Sequence, residues 1–366
     1  MPPANLALDA PVKDMCYNMP VDTKQETQMN RRDFIRMGAV GGVAAAFQGC
    51  MTSIDAPQAR NADPFGTLAP KPKAKDGESL LEQLAAPAPK AKPEFHVFSK
   101  MFQPPLCKDY DAIAELMAKA GFDGIEWTVR PKGHVLPENA KTDLPKAVEA
   151  ARKQGLKSTM IVTGFTDGDA PESETLLKVA ADCGVKQYRP GYFFYDVKKE
   201  TFQQSFDRIK AGFASLAKLS ERTGVKTVYQ NHSSWGPSVF GGLVWDVWEA
   251  IRDLDPKWMG LEYDPMHAFF ETNLSWSHGL ELVADRIGAV CLKDFHYQLS
   301  KKNPKDHAKF MCAAGEGIVP WKEVKRLLDM HKVKAPFAVH FEYKFDQKDL
   351  LKTVKGELDF FKGIFA

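Results

Sequence analysis

Asp264 and His267 stand three residues apart at the end of the run GLEYDPMHA, and their types suit metal binding or acid–base chemistry. Three other apolar runs also end in polar side chains. These side chains are Gln230, Asn231 and His232 in TVYQNH, Lys293, Asp294 and His296 in AVCLKDFH, and Glu342 in AVHFEY. Polar groups just past the carboxyl ends of parallel strands meet in one mouth when the strands close into a barrel. We therefore predict one shared site built from several strand ends.

The polar side chains at these strand ends predict a divalent metal site. Asp264 and Glu342 supply negative charge, while Gln230 and His232 are the predicted ligands that complete the shell. The expected ion is Mn, Mg, Co or Zn. The alternative for a histidine at a strand end is a solvated or hydrogen-bonded side chain without a ligand role.

Proton transfer at such a site requires a base, and Glu342 is the predicted one. His267 and Lys293 complete the predicted catalytic set, and the charge of Lys293 could stabilise a developing oxyanion. A structural pair between Lys293 and Asp294 is the alternative. Because Gln230 cannot accept a proton, Glu342 is the single carboxylate base that these residues predict.

A second group of polar and aromatic residues follows the second, fourth and fifth runs. The predicted substrate-binding residues are Arg130, His134, Arg189, Asn231, His232 and Trp235. Side chains of these types hydrogen-bond hydroxyl groups, hold an anionic group or cover an apolar face of a small molecule. Solvated loop residues are the alternative for Arg130, His134 and Arg189.

Short apolar or β-branched runs alternate with amphipathic helical stretches through the rest of the chain. Eight runs begin at Phe95, Asp123, Leu156, Val185, Val225, Trp258, Ile287 and Pro336. The predicted helices include 110–120, 144–154, 172–182, 202–222, 244–253, 321–330 and 350–361. Eight β/α units in residues 94–366 match a single (β/α)8 TIM barrel of the α/β class, for which about 250 residues is typical. A doubly wound sheet is disfavoured because the first run lacks a glycine-rich phosphate turn.

Residues 1–50 predict an export signal. Arg31 and Arg32, with Phe34 two places later and a Gly/Ala-rich run up to Cys50, resemble a twin-arginine signal. The glycine before Cys50 also fits a degenerate lipobox, which leaves a lipid anchor open. The alternative is a chance basic amphipathic segment. We expect an exported protein, either periplasmic or anchored to a membrane.

Composition shows which segment is a linker and argues against several classes of partner and site. Residues 51–93 are rich in Ala, Pro and Lys and predict a disordered linker. The 49 basic and 47 acidic residues nearly cancel, which argues against a nucleic-acid partner. The six cysteines show no CxxC spacing, which argues against a zinc ribbon or a disulfide framework.

The eight units resemble the xylose isomerase-like TIM barrel superfamily of sugar phosphate isomerases and epimerases. The segments that carry the resemblance are GFDGIEWTV, YDPMH, LKDF, AGEGIVPW and FEY, in that order. By position, the resemblance implies metal ligands at Gln230, Asp264, Cys291 and Glu342, and a substrate contact at His267. Gln230 and Cys291 depart from the glutamate and histidine of the family. A buried apolar role for Cys291 is the alternative.

The resemblance and the residues together predict a sugar isomerase or epimerase that acts on a free or oxidised (keto) sugar or a glycoside. The expected chemistry is metal-assisted proton abstraction next to a carbonyl. The alternatives are a lyase or dehydratase that uses the same base, and a catalytically silent carbohydrate-binding relative. A phosphodiesterase of the endonuclease IV kind is disfavoured because nine histidines are too few for a multi-metal cluster. A homodimer remains open.

Overall fold

Eight parallel strands pair side by side until the last strand meets the first, which closes a barrel. The computed structural model describes residues 92–233, 239–299, 307–345 and 347–366. The predicted signal, nearly all of the predicted linker, and Trp235 lie outside these residues. The barrel strands lie side by side in chain order, and closure pairs Phe95 with Phe337. The predicted (β/α)8 TIM barrel is therefore confirmed.

All eight predicted runs form barrel strands. The strands are β1 Phe95–Phe98, β2 Gly124–Val129, β3 Met160–Thr163, β4 Gln187–Arg189, β5 Lys226–Gln230, β6 Met259–Tyr263, β7 Ile287–Leu292 and β10 Phe337–Val339. The helices are α1 Tyr110–Ala120, α2 Ala140–Lys153, α3 Pro171–Asp182, α4 Phe202–Thr223, α5 Val244–Ile251, α6 Pro265–Thr272, α7 Trp276–Val283, α8 Trp321–Met330 and α9 Leu350–Phe365. Among the described helices, none has the length and apolar character needed to cross a membrane.

Two helices and a two-stranded hairpin were not predicted from the sequence. Helices α6 and α7 fill the connection between β6 and β7. The run that starts at Ile287 was predicted as one strand, but it ends at Leu292. An antiparallel hairpin of β8 (Asp294–Leu299) and β9 (His307–Cys312) follows it and stands outside the barrel sheet.

Alternation along the strands separates an apolar outer face from a polar inner face. In β6, Leu261 and Tyr263 belong to the hydrophobic core between barrel and helices. Glu262, between them, is fully buried and contacts polar groups of other strands inside the barrel. Successive strand residues point to opposite faces, so positions two apart share the interior. The barrel interior therefore becomes polar towards the carboxyl ends of the strands.

Asp294 organises the loop that follows the hairpin. Its Oδ1 accepts hydrogen bonds from the backbone N–H groups of Phe295 (2.9 Å) and Val319 (3.2 Å). Its Oδ2 accepts from the Gly315 N–H (3.1 Å) and the Trp321 indole N–H (3.0 Å). The segment AGEGIVPW thus wraps around a buried carboxylate that starts the hairpin. The alternative of a structural pair between Lys293 and Asp294 is wrong, because Asp294 accepts from N–H groups while Lys293 contacts Asp264 and Glu342.

Candidate active site

Three side chains form a row at the carboxyl ends of β6, β7 and β10. The Lys293 Nζ lies 3.1 Å from Asp264 Oδ2 and 2.8 Å from Glu342 Oε2. Lys100 approaches the other Glu342 oxygen at 2.5 Å. We call Asp264, Lys293 and Glu342 the mouth tier. An ammonium therefore lies between the two carboxylates that were predicted to share a metal.

The charges of the mouth tier stabilise one another in a desolvated place. Burial by itself would raise the pKa of Glu342, but Lys293, Lys100 and His340 outweigh it and hold that pKa well below its usual range. Burial would lower the pKa of Lys293, but Asp264 and Glu342 raise it above its usual value. Glu342 is therefore a carboxylate and Lys293 an ammonium at neutral pH.

The hydrogen bonds of Gln230 fix the orientation of its amide. Its Oε1 accepts from Arg189 Nη1 and from the Tyr192 hydroxyl. Its Nε2 donates to Asp264 Oδ2 at 2.8 Å and to Cys291 Sγ at 3.2 Å. A flipped amide would set its oxygen against the carboxylate and its nitrogen against the guanidinium, so only this orientation satisfies all four partners.

This geometry does not fit the predicted metal site at the mouth. The oxygen of Gln230 is directed away from Asp264, and Lys293 lies where an ion bridging Asp264 and Glu342 would sit. His232 Nδ1–H donates to the backbone carbonyl of its neighbour, Ser233 O, at 2.8 Å. The positive charge at the mouth is therefore supplied by a lysine of the chain.

Two neutral histidines form one wall of the mouth. The rings of His232 and His267 lie 3.8 Å apart between centroids, and burial lowers the pKa of His232 to about 2 and that of His267 well below its usual value. His267 Nδ1 is 2.7 Å from Ser233 Oγ, which also accepts from Lys309 Nζ at 2.5 Å. Among the described residues, His267 Nε2 has no hydrogen-bond partner.

The position of His267 follows from the sequence DPMH. Asp264 is the N-cap of α6, and its Oδ1 accepts from the His267 N–H at 3.1 Å. Pro265 occupies the first turn, where its fixed φ suits a helix start. One carboxylate thereby belongs to the mouth and also begins the helix that presents His267.

The remaining predicted binding residues divide into two groups. Arg130 and Arg189 reach the mouth, with their guanidinium carbons 5.8 and 4.8 Å from the Phe98 ring centroid. Asn231 instead clamps the backbone of Asp264 through both amide atoms, at 2.8 and 2.9 Å. His134 is bound by Thr128 Oγ1 at 2.8 Å, among other partners. Asn231 and His134 therefore position other residues, because their polar atoms are already used.

A second set of polar groups lies one pleat below, and sequence analysis singled out only one of its members. It consists of Glu262, Cys291 and His340, each two residues before a member of the mouth tier, and we call it the inner tier. Cys291 Sγ donates to Glu262 Oε1 at 3.1 Å, and His340 Nε2 lies 3.6 Å from the same oxygen. Alternation by two along strands already singled out by their polar ends was the signal that could have revealed it.

The inner tier is surrounded by further buried charge. Arg189 Nη1 lies 3.5 Å from Glu262 Oε2. Glu126 on β2 is fully buried, and neither of its oxygens has a hydrogen-bond partner within the described part of the chain. Burial and the nearby Glu262 raise the pKa of Glu126 well above its usual range. Burial and Glu262 likewise raise the pKa of Cys291.

Comparison with known proteins places this arrangement in context. A family model described as xylose isomerase-like TIM barrel matches residues 114–364. A search of curated proteins finds no match. The solved structures that resemble the fold include a D-psicose 3-epimerase with D-tagatose from Clostridium cellulolyticum H10, at 14% identity and a TM-score of 0.57, covering 74% of this chain and 99% of that one.

Two further structures show the same likeness. The 3-keto-D-glucoside 4-epimerase of E. coli has 15% identity and a TM-score of 0.56, over 74% of this chain and 100% of that one. A xylose isomerase-like TIM barrel protein from Mycobacterium smegmatis in complex with magnesium has 13% identity and a TM-score of 0.54, over 75% and 98%. At these identities the likeness shows a shared fold.

Proposed function

Because the chain belongs to the xylose isomerase-like TIM barrel family, we propose that it is a carbohydrate isomerase or epimerase. The proposed substrate is a free or oxidised (keto) sugar or a glycoside, and the reaction begins with removal of a proton next to a carbonyl group. The observation that carries the proposal is the contact of a carboxylate base, Glu342, with a buried ammonium, Lys293, at 2.8 Å. The epimerases among the structural neighbours support the same class of reaction.

In this mechanism Lys293 donates a hydrogen bond to the substrate carbonyl oxygen. Glu342 removes the proton from the adjacent carbon, the C–H electron pair forms the C=C bond of an enediolate, and the carbonyl π electrons move to oxygen. A buried cation beside the base stabilises the negative charge that develops on that oxygen. When Lys293 turns to the substrate, Glu342 loses one of its cationic partners, so its pKa rises and it becomes a stronger base.

Other mouth residues suit substrate binding. His267 Nε2 is available for a sugar hydroxyl, since no described residue satisfies it. No described carboxylate lies within ion-pair distance of Arg130, while Lys309 reaches Ser233 and lies 4.5 Å from the Phe270 ring centroid. These two cations suit an oxygen-rich or oxidised substrate.

A lyase or dehydratase is the second candidate, and the row of the mouth tier favours it over two-base epimerisation. Asp264 and Glu342 contact the same ammonium, so both carboxylates lie around one point rather than on opposite faces of a substrate. Gln230 cannot serve as the second base. After Glu342 has removed the proton, the enediolate re-forms its carbonyl group and its C=C electron pair forms the new α,β double bond. The β-hydroxyl or glycosidic oxygen leaves with the electrons of its C–O bond and takes up the proton that Glu342 holds.

The test is deuterium exchange from heavy water into keto-sugars and keto-glycosides, followed by NMR at the carbon next to the carbonyl. We expect exchange with the wild type, and a loss of about 10²–10⁴-fold in Glu342→Gln, the usual contribution of a positioned base. Glu323→Gln is the matched control, because Glu323 lies on the exposed face of α8 and pairs with Arg326. Sugar binding without exchange in the wild type would instead identify a silent binding relative.

We also propose that the protein is exported and lipid-anchored at Cys50, on the sequence of residues 1–50 alone. Cell fractionation of the wild type, of Arg31→Lys/Arg32→Lys and of Cys50→Ser tests this. Export should fail in the double variant. In Cys50→Ser the protein should leave the membrane fraction but remain outside the cytoplasm. A wild-type protein that stays in the cytoplasm would refute both steps.

A further inference from the structure

We propose that the inner tier of Glu262, Cys291 and His340 binds a thiophilic divalent ion, Zn²⁺ first among them, beneath the mouth tier. One carboxylate oxygen, one sulfur and one imidazole nitrogen lie within 4.8 Å of one another, and all three residues are buried. Cys291 is one of the four ligands that the family resemblance implies, whereas Glu262 and His340 belong to neither predicted ligand set. The site therefore stands whether or not the mouth isomerises sugars.

The distances are close to those of a tetrahedral zinc site. With Zn–S near 2.3 Å and Zn–N or Zn–O near 2.0–2.1 Å, neighbouring ligand atoms are separated by about 3.3–3.5 Å. Here Cys291 Sγ and Glu262 Oε1 are 3.1 Å apart, and His340 Nε2 and Glu262 Oε1 are 3.6 Å apart. The third separation, between the sulfur and the imidazole nitrogen, lies within 4.8 Å. A carboxylate, thiolate and imidazole set with one position left for a fourth ligand is typical of zinc.

Unsatisfied polar atoms point to the same occupant. Among the described residues, neither ring nitrogen of His340 and neither carboxylate oxygen of Glu126 has a hydrogen-bond partner, although both residues are buried. Buried polar groups are usually hydrogen-bonded, and exceptions call for a missing partner. An ion in the inner tier satisfies His340 directly and offers Glu126 a positive charge.

Charge balance supports the ion as well. The buried groups are the carboxylates of Glu126 and Glu262, the guanidinium of Arg189 and the thiol of Cys291. A divalent ion that displaces the Cys291 proton gives three positive charges, from the ion and Arg189. The thiolate and the two carboxylates give three negative charges. On loading, the Cys291 thiol proton and any proton of Glu126 leave to solvent, and the cluster is then neutral.

His340 links the two tiers. Its Nε2 faces Glu262, and its Nδ1 lies 3.8 Å from Glu342 Oε2. Metal-bound histidines almost always donate their other ring N–H to a carboxylate or carbonyl, which fixes the tautomer and the ring. Binding of the ion at Nε2 thus leaves Nδ1–H to donate to Glu342. The inner ion would hold the mouth base in place without contacting substrate.

Cobalt substitution provides the test. The full-length protein, stripped with a chelator, is titrated with Co²⁺ and followed by absorbance. We expect one equivalent, with the thiolate-to-cobalt charge-transfer band and the intense visible bands of a tetrahedral site. Cys291→Ser should lose the charge-transfer band, and His340→Gln should weaken binding at least tenfold. Asp264→Asn is the matched mouth control and should keep the spectrum.

Thermal unfolding with and without Zn²⁺ accompanies the titration and shows that each variant folds. The Tm should rise with zinc in the wild type and in Asp264→Asn, and this rise should disappear in Cys291→Ser and His340→Gln. Two results would overturn the proposal. One is a folded wild-type protein that binds no cobalt or zinc. The other is binding that survives Cys291→Ser and is lost in Asp264→Asn, which would place the ion in the mouth tier.

Discussion

Glu342 and Lys293 illustrate how individual residues set the chemistry of the mouth. Lys293 is buried and the Glu342 side chain is 20% exposed; desolvation opposes both charges, and each is kept ionised by its neighbour at 2.8 Å. Removing one partner therefore changes the protonation of the other, because an uncompensated buried charge is costly. The pair acts as one unit of base and electrophile.

Lys293→Met should move the acid limb of the pH profile. Without the ammonium, burial dominates and the pKa of Glu342 rises, so the base becomes protonated at a higher pH than in the wild type. We expect the acid limb of kcat/KM to move upward and kcat to fall about 10²–10³-fold, as on loss of an oxyanion donor. The measurement is kcat/KM against pH with the substrate found by deuterium exchange.

Lys293→Arg is the control for this change, since it keeps the charge and should leave the acid limb in place even if geometry costs activity. The same acid limb in Lys293→Met and the wild type would show that Lys293 does not govern the ionisation of Glu342.

The lowered pKa of Glu342 also makes the stability of the folded protein depend on pH. Because the pKa of Glu342 is lowered in the folded state, its ionisation stabilises the folded protein at pH values above its unfolded pKa of about 4.3. This stabilisation is lost as the pH falls through the lower pKa of the folded state.

At the scale of elements, the hairpin and the loop after it depend on one carboxylate. Four N–H groups converge on Asp294, and the chain must approach it closely. A Cβ on Gly317 would lie 2.0 Å from Asp294 Oδ1, which only glycine avoids. Gly315 has φ +83°, a left-handed conformation that favours glycine. The glycines of AGEGIVPW therefore serve the packing of this loop.

Asp294→Ala should destabilise the protein by about 3 kcal/mol, because it leaves buried N–H groups without their charged acceptor. The free energy of unfolding in urea measures this loss. Asp359→Ala, which removes an exposed i,i+4 partner of Lys355 on α9, should change it little. A loss in Asp294→Ala no larger than in Asp359→Ala would show that the four hydrogen bonds do not support the loop.

The elements also show what the sequence could and could not predict. Eight apolar runs predicted eight strands because each is buried on both faces. The hairpin was missed because AVCLKDF reads as one continuous run, whereas the barrel strand ends at Leu292. The mouth tier was found from strand ends. Glu262 and His340 were missed because each is a single polar residue inside an apolar run. From the sequence, such a residue looks like a break in the apolar pattern and not like a side chain that points into the barrel.

At the scale of the whole molecule, closure of the barrel makes the first and last strands interdependent. Phe95 pairs with Phe337, and their rings stack with centroids 5.4 Å apart. Phe337 also packs against Phe365 of the last helix at 4.5 Å. The two ends of the described domain are thereby joined by aromatic contacts as well as by backbone hydrogen bonds.

Phe337→Ala should lower the free energy of unfolding by about 3 kcal/mol, within the range for removing a buried phenylalanine. Because Phe337 lies where the last strand pairs with the first, its loss should lower the Tm of the whole barrel. Circular dichroism should show this as a single cooperative transition at a lower temperature. Phe202→Ala serves as a comparison, since Phe202 is 64% exposed. Two separate transitions in Phe337→Ala would show that the barrel halves unfold independently.

The spacing of the two tiers restricts how this barrel can change by insertion or deletion. Strand faces alternate, so gaining or losing one residue within β6, β7 or β10 would turn the polar residues outward and bring residues such as Leu261 inside. A change of two residues keeps the faces and moves Glu262 to the level of Asp264. In related genes, length differences within these strands should therefore be even, and odd ones should fall in the loops.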